Sequence, residues 1–116
     1  KKRYLFGCCS LFTLDCSEGK RAGATLKALN ALHPDLRVDA REECQCRPED
    51  FLTPENTEPS ELPRLFTTYL RIGAKVCGEP AIDREFKTID FFVIFDIESI
   101  SERYYQMFFA PLKNLV

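Results

Sequence analysis

Apolar and polar positions along this chain fall into blocks whose spacing changes from strand-like to helix-like. Residues 3–10 (RYLFGCCS) are aromatic and apolar and predict a buried strand, interrupted by Gly7. A glycine inside a strand often marks a bulge or the close approach of a backbone or ligand. Over residues 15–32 the spacing becomes helical: Ala22, Leu26, Leu29 and Leu32 share a face, Asp15 and Glu18 stand at capping-box separation, and Pro34 ends the run. A second helix is predicted from Ser60, with Pro63 in its first turn and Leu62, Leu65, Phe66, Tyr69 and Leu70 as its apolar face, until Gly73 ends or kinks it. Residues 74–77 read as a short strand followed by a Gly78-Glu79-Pro80 turn. Residues 88–96 (TIDFFVIFD) are the strongest strand, and apolar residues on both of its faces predict cover on both sides. Ser99 and Glu102 form a capping box for a last helix over 101–109, with Pro111 beyond it.

The order strand, helix, long connection, helix, short strand, long strand, helix defines an α/β layered domain. The connection, residues 41–59, is polar, acidic and broken by Pro48, Pro54 and Pro59. Its length leaves two readings, a lid over a site or a wrap around the surface.

Composition narrows the function classes. The chain has 116 residues, 45% hydrophobic and 29% charged, enough for one core and one domain. A net charge of −2 speaks against nucleic acid, which wants a basic surface. The basic clusters Lys1-Lys2-Arg3 and Lys20-Arg21 read as solvated ends. No apolar run approaches the roughly 18 residues that cross a bilayer, and the first residues read as a strand rather than a secretory leader. The chain opens without Met almost inside a strand, so the expectation is a piece of a longer protein. Six irregularly spaced cysteines predict reduced, mostly buried thiols in a cytoplasmic protein. Cys44-x-Cys46 and the single His33 fall short of the two closely spaced ligand pairs of a structural zinc site.

Candidate chemistry is sparse. His33, just before Pro34, reads as a helix-end cap rather than a base. Cys8 and Cys9 have no sequence neighbour that would lower a thiol pKa, and no phosphate-cradling glycine loop is present. Asp90 stands out, because a carboxylate in a strand buried on both sides needs a partner. Lys75, Arg71 or Arg84 would supply a structural ion pair; the functional reading is a carboxylate that orients an amine substrate.

Two stretches carry a family pattern: YLFGCCS at 4–10 with HPDLRV at 33–38, and residues 62–105, including LRIGAKVCGEPAID followed by Phe86-x-Thr88-x-Asp90. Together they resemble the C-terminal part of the acyltransferases named hemolysins, relatives of the ornithine lipid N-acyltransferases. The resemblance covers nearly the whole chain outside residues 41–59. It implies the C-terminal half of a GNAT-like (acyl-CoA N-acyltransferase) α/β fold, a mixed sheet with helices on both faces. Residues 1–116 would be a single partial domain, inactive alone, whose N-terminal half lies upstream. The implied donor is a thioester of acyl carrier protein or CoA, its pantetheine arm lying between two splayed strands of which 4–10 is the second. No metal or permanently bound cofactor is implied. The implied acceptor is an amino acid or lipid amine, and the site lies in the cytoplasm or at the inner membrane periphery. Asp90 and Glu79 would handle protons; Gly7, Gly73, Lys75 and Gly78 would bind substrate. The open edge of the first strand predicts a homodimer unless another strand pairs there. The hemolysin label finds no membrane-inserting segment in the chain. A second reading is a non-catalytic accessory domain that binds lipid or carrier protein beside a glycerophosphate-type acyltransferase.

Overall fold

β-branched and aromatic residues dominate the segment Thr88–Asp96, and it forms the central strand, β4, of a computed structural model that describes residues 3–55, 58, 60–100 and 102–108. Strand β1 (Tyr4–Leu11) lies antiparallel along one edge of β4, from Tyr4 opposite Asp96 to Leu11 opposite Ile89. Strands β2 (Lys75–Val76) and β3 (Ala81–Asp83) share the other edge, both antiparallel. The expected mixed sheet therefore reduces, among the described residues, to antiparallel strands plus one parallel bridge between Leu32 and Val76. The cause is local: β4 returns directly from β3 as a hairpin.

Helices α1 (Cys16–Ala28) and α2 (Arg64–Ile72) cover one face of this sheet. Ile89, Phe91, Val93 and Phe95 point into it and meet Ala22 and Leu26 of α1 and Phe66 and Ile72 of α2 in one buried cluster. Phe91 and Phe66 pack as tilted rings 5.7 Å apart. The other face does not have the expected cover among the described residues. Asp90, Phe92, Ile94 and Asp96 are only half-buried there, and Phe6, 71% exposed, stacks on Phe92 at 5.7 Å. Cross-strand aromatic pairing shields part of this apolar surface.

Helix α1 stops a turn before its apolar stripe does. Asn30 adopts a left-handed φ of 55°, the Ala31 N–H reaches back to the Leu26 carbonyl, and Leu32 joins β2 instead of continuing the helix. The expected capping box is half formed. Asp15 caps α1 by accepting from the Ser17 N–H, but its own N–H donates to Thr13 Oγ1 rather than to Glu18. Helix α2 begins at Arg64, not at Ser60, whose carbonyl accepts a hydrogen bond from Thr25. Strand β3 went unrecognised in the sequence, where it is only three residues long; Asp83 turns the hairpin by accepting from the Glu85 and Phe86 N–H groups. Helix α3 spans Glu102–Phe108. Ser99 donates to the Asp96 carboxylate instead of capping that helix, and Ser101, Phe109 and Pro111 lie outside the described residues.

The long connection wraps α1. The Asp15 carboxylate accepts from the Leu52 N–H and the Thr53 hydroxyl, Ser17 donates to the Thr53 carbonyl, and Lys20 pairs with Glu55 at 3.0 Å. A Cys16–Cys46 disulfide ties the same two segments covalently, which corrects the expectation that all six thiols are free. The remaining four cysteines, Cys8, Cys9, Cys44 and Cys77, are unpaired. Sequence spacing could not show the pair because the connection folds back across 30 residues.

Burial would push the Asp15 carboxyl up, but hydrogen bonds from the Leu52 and Ser17 N–H groups and the Thr53 and Ser17 hydroxyls outweigh it, and the group sits below the usual carboxylate range. A carboxyl depressed in the folded state stabilises above its unfolded pKa, and that contribution is lost as pH falls through the folded value. Thermal melts should therefore show a drop below about pH 4 that is smaller in Asp15→Asn. Equal acid sensitivity in both proteins would contradict this role.

Candidate functional site

A cleft of about 920 Å³ opens between α1, residues 32–40, the 45–51 part of the connection and the Gly78-Glu79-Pro80 turn. Leu26, Val76 and Phe91 are among its apolar lining residues. The His33 N–H donates to the Val76 carbonyl at 2.8 Å and the Val38 N–H to the Cys77 carbonyl at 3.2 Å, laying residues 33–38 beside β2. That approach is possible because residue 78 is glycine. Its φ is +96°, and a Cβ there would lie 2.6 Å from the Val38 carbonyl oxygen. Gly78→Ala is expected to cost about 1–3 kcal/mol through backbone strain and displacement of the 33–38 segment. Denaturant unfolding checks this, and an unchanged midpoint would contradict it.

His33 does not cap helix carbonyls. Its Nδ1 accepts from the Asp35 N–H at 3.1 Å and the Leu36 N–H at 2.9 Å. Two donors on Nδ1 place the hydrogen of the neutral ring on Nε2, leaving a fixed N–H donor as the ring's remaining polar group at the cleft. The charges around the cleft divide into two groups. Lys20 is paired with Glu55 and Arg37 with Asp39, at 3.0 and 3.2 Å. Lys27, Asp35 and Glu79 also line the cleft, and their side chains have no ion pair or hydrogen bond among the described residues.

Of the sequence-predicted residues, two line this cleft, two lie on the other face of the sheet, and Gly7 and Gly73 are in neither place. Gly78 and Glu79 line the cleft. Asp90 lies on the opposite face of β4, where Ser10 Oγ donates to it at 2.6 Å and Ala81 sits across from it on β3. Among the described residues the expected ion pair does not form: Lys75 donates to the Asn30 carbonyl at 2.9 Å, and Arg84 to the Glu43 carbonyl and the Asp50 carboxylate. A half-buried position and a short hydroxyl donor serve Asp90 without a cation. Lys75 is on the same face, in register with Ile94. Gly7 is opposite Val93 on β1, and a Cβ there would meet nothing within 4 Å. Gly73 ends α2 with φ +122°, a conformational role. The structure thus does not bring Asp90 and Glu79 together.

Burial raises the Cys8 thiol, with the Asp90 charge adding to it, and burial pushes the Cys9 thiol up to about 11. Neither has the character of a thiolate nucleophile. No group of three or more His, Cys, Asp or Glu side chains is placed to hold a metal among the described residues. No helix among them is long and apolar enough to cross a membrane. Lys27 and Asp35 escaped functional notice in the sequence, and His33 was read there as a cap; the available signal was an HPD turn a few residues after a lysine in the last turn of α1.

The α/β unit thus carries a cleft walled by α1, β2 and the wrapped connection. Comparison with known proteins gives this a chemical direction. The chain is similar to the L-ornithine N(alpha)-acyltransferase of Rhizobium meliloti (strain 1021), 35% identical over 86 residues, covering 66% of this chain and 29% of that protein. It is also similar to the L-ornithine N(alpha)-acyltransferase of Brucella abortus (strain 2308), 29% identical over 121 residues, covering 97% of this chain and 41% of that protein. These likenesses support a relationship to the ornithine acyltransferases. The chain spans less than half the length of the curated relatives it matches. No family model and no solved structure matches it.

Proposed function

We propose that this chain is the C-terminal part of a GNAT-like acyltransferase that moves a fatty acyl group from a carrier-protein or CoA thioester to the amine of an amino acid or lipid, in membrane lipid synthesis. The observation that carries this reading is the similarity to two L-ornithine N(alpha)-acyltransferases, one of them along 97% of the chain. The form of β1 supports it. Among the described residues β1 pairs only with β4, and Tyr4 to Cys8 are exposed. A neighbouring strand from the rest of the protein would complete the splayed pair, with the open space at Gly7 facing the donor. Amine attack on a thioester needs no metal. The nitrogen forms a C–N bond, the thiolate leaves and takes up a proton, and the ammonium proton passes to a base. Glu79, unpaired at the cleft, is the carboxylate we assign to that proton; backbone N–H groups would hold the oxyanion.

The separation of Asp90 from Glu79 by the sheet favours, as a second reading, an accessory domain that binds carrier protein or lipid without turnover. The complete gene product, incubated with acyl carrier protein thioester and L-ornithine, separates the two. Release of carrier thiol matched by N-acylornithine supports the enzyme. Carrier binding without thiol release supports the accessory domain.

A further inference from the structure

One wall of the cleft is held in place by a bond that thiol chemistry can undo. We infer that residues 44–49 form a strap across the start of α1 whose latch is the Cys16–Cys46 disulfide. Oxidation of the pair seats this wall of the cleft, and reduction by a dithiol releases it. The wall is the same whether the cleft serves turnover or binding alone.

Three features separate this latch from a passive staple. The strap has little else to hold it. Among the described residues none of 41–49 is buried, and the hydrogen bonds of 44–49 close within 40–51. The Gln45 side-chain amide reaches only the Ala40 carbonyl, and the Arg47 N–H only the Asp50 carboxylate. The flanks, by contrast, are fixed. Arg84 holds the Glu43 carbonyl and the Asp50 carboxylate, while the Leu52 N–H and the Thr53 hydroxyl bond to Asp15. A short segment with no buried side chain, hinged between fixed ends, opens without unfolding the rest. The latch is also reachable from one side: Cys46 is half-buried, whereas Cys16 is 2% exposed. Finally, the bond sits among free thiols. Cys8, Cys9, Cys44 and Cys77 are unpaired, and Cys44 is on the strap itself. A chain stapled for an oxidising compartment pairs its cysteines, whereas a partly exposed bond is of the labile, regulatory kind.

The exchange balances with an ordinary dithiol. Its thiolate attacks Cys46 Sγ, and the Cys16 thiolate leaves and takes up a proton. The second thiol of the dithiol then resolves the mixed disulfide and frees the Cys46 thiol. The protein pair gains two electrons and two protons, and the dithiol becomes a disulfide. A small-molecule disulfide drives the reverse exchange and is released as two thiols. Both protein sulfurs and Gln45 line the cleft, so the exchange acts on its wall directly.

The test is peptide-resolved hydrogen exchange of the folded chain as the disulfide, after dithiothreitol, and after oxidised glutathione is added in excess. Dithiothreitol in native buffer should raise the thiol count, read after acid quenching and denaturation, from four to six with unchanged circular dichroism. Amides of residues 44–49 should then exchange about tenfold faster or more, while 22–26 and 89–95 stay protected over the same minutes. Oxidised glutathione should restore the slow rate. Cys46→Ser should exchange at the fast rate in every condition, and Cys44→Ser should switch as wild type does. A bond that yields to dithiothreitol only after denaturation would overturn the latch. So would an unchanged rate at 44–49 on reduction, or loss of core protection over the same minutes. Failure of oxidised glutathione to restore the slow rate would make the bond a one-way staple and overturn the switch. Acyl transfer by the complete gene product is measured separately, so either outcome here leaves that reading to its own test.

Discussion

Cys46→Ser is expected to lower the stability of the chain by about 2–4 kcal/mol, the usual worth of a cross-link that restrains a long loop in the unfolded chain. The bond joins positions 30 residues apart, and its partner Cys16 is the first residue of α1. It acts beside the hydrogen bonds from the Leu52 N–H and the Thr53 hydroxyl to the Asp15 carboxylate, so the connection is held at two points near the start of one helix. Loss of the cross-link should leave residues 52–53 attached to Asp15 and residues 43 and 50 on Arg84, and loosen the cleft wall between them at Gln45 and Cys46. Thermal melts with and without dithiothreitol check this. Wild type in reductant should melt where Cys46→Ser melts, and Cys44→Ser should melt as wild type because Cys44 is unpaired. Indifference of wild type to the reductant, or more than four titratable thiols in the unreduced denatured protein, would contradict the pairing.

Phe91→Ala should cost about 3–5 kcal/mol, the scale for removing a fully buried aromatic ring. Phe91 is 1% exposed, packs against the equally buried Phe66, and also lines the cleft. Its loss therefore removes apolar contact between β4 and α2 and opens the cleft into the core. The matching change on the open face, Phe92→Ala, should cost far less, because Phe92 is half-buried and its ring partner Phe6 is itself mostly exposed. Chemical denaturation of the two variants measures the contrast. Equal losses would mean that the open face is packed as tightly as the core face.

Much of this fold was legible in the residues. The alternation of β4, the stripe of α1 through Ala22 and Leu26, and the apolar face of α2 each reported burial directly, because side-chain period follows backbone geometry. Boundaries were less legible. Asn30 ends α1 by taking a left-handed φ, and the two-residue β2 and three-residue β3 are too short to show a period. The apolar residues on both faces of β4 predicted two covered faces; among the described residues the second face instead carries aromatic rings paired across strands, a pattern that gives the same apolar sequence. The candidate site was legible only in part. The family pattern pointed to Gly78 and Glu79, and both line the cleft. It also pointed to Asp90 and Lys75, which the period-two geometry of the sheet turns to the other side. Lys27, His33 and Asp35 became candidates only through tertiary contacts, since what matters about them is the absence of a partner for Lys27 and Asp35 and the two backbone N–H groups at His33 Nδ1.

The most direct measurement of the central claim is steady-state turnover of the complete gene product with Glu79→Gln and Asp90→Asn compared to wild type, using acyl carrier protein thioester and L-ornithine. If the amine loses its proton to the cleft carboxylate, Glu79→Gln should lower kcat by about a hundredfold or more, the ordinary worth of a general base. Asp90→Asn, on the far side of the sheet, should leave kcat within a few-fold of wild type. Full activity in Glu79→Gln together with loss in Asp90→Asn would contradict the account and move the chemistry to the open face of the sheet.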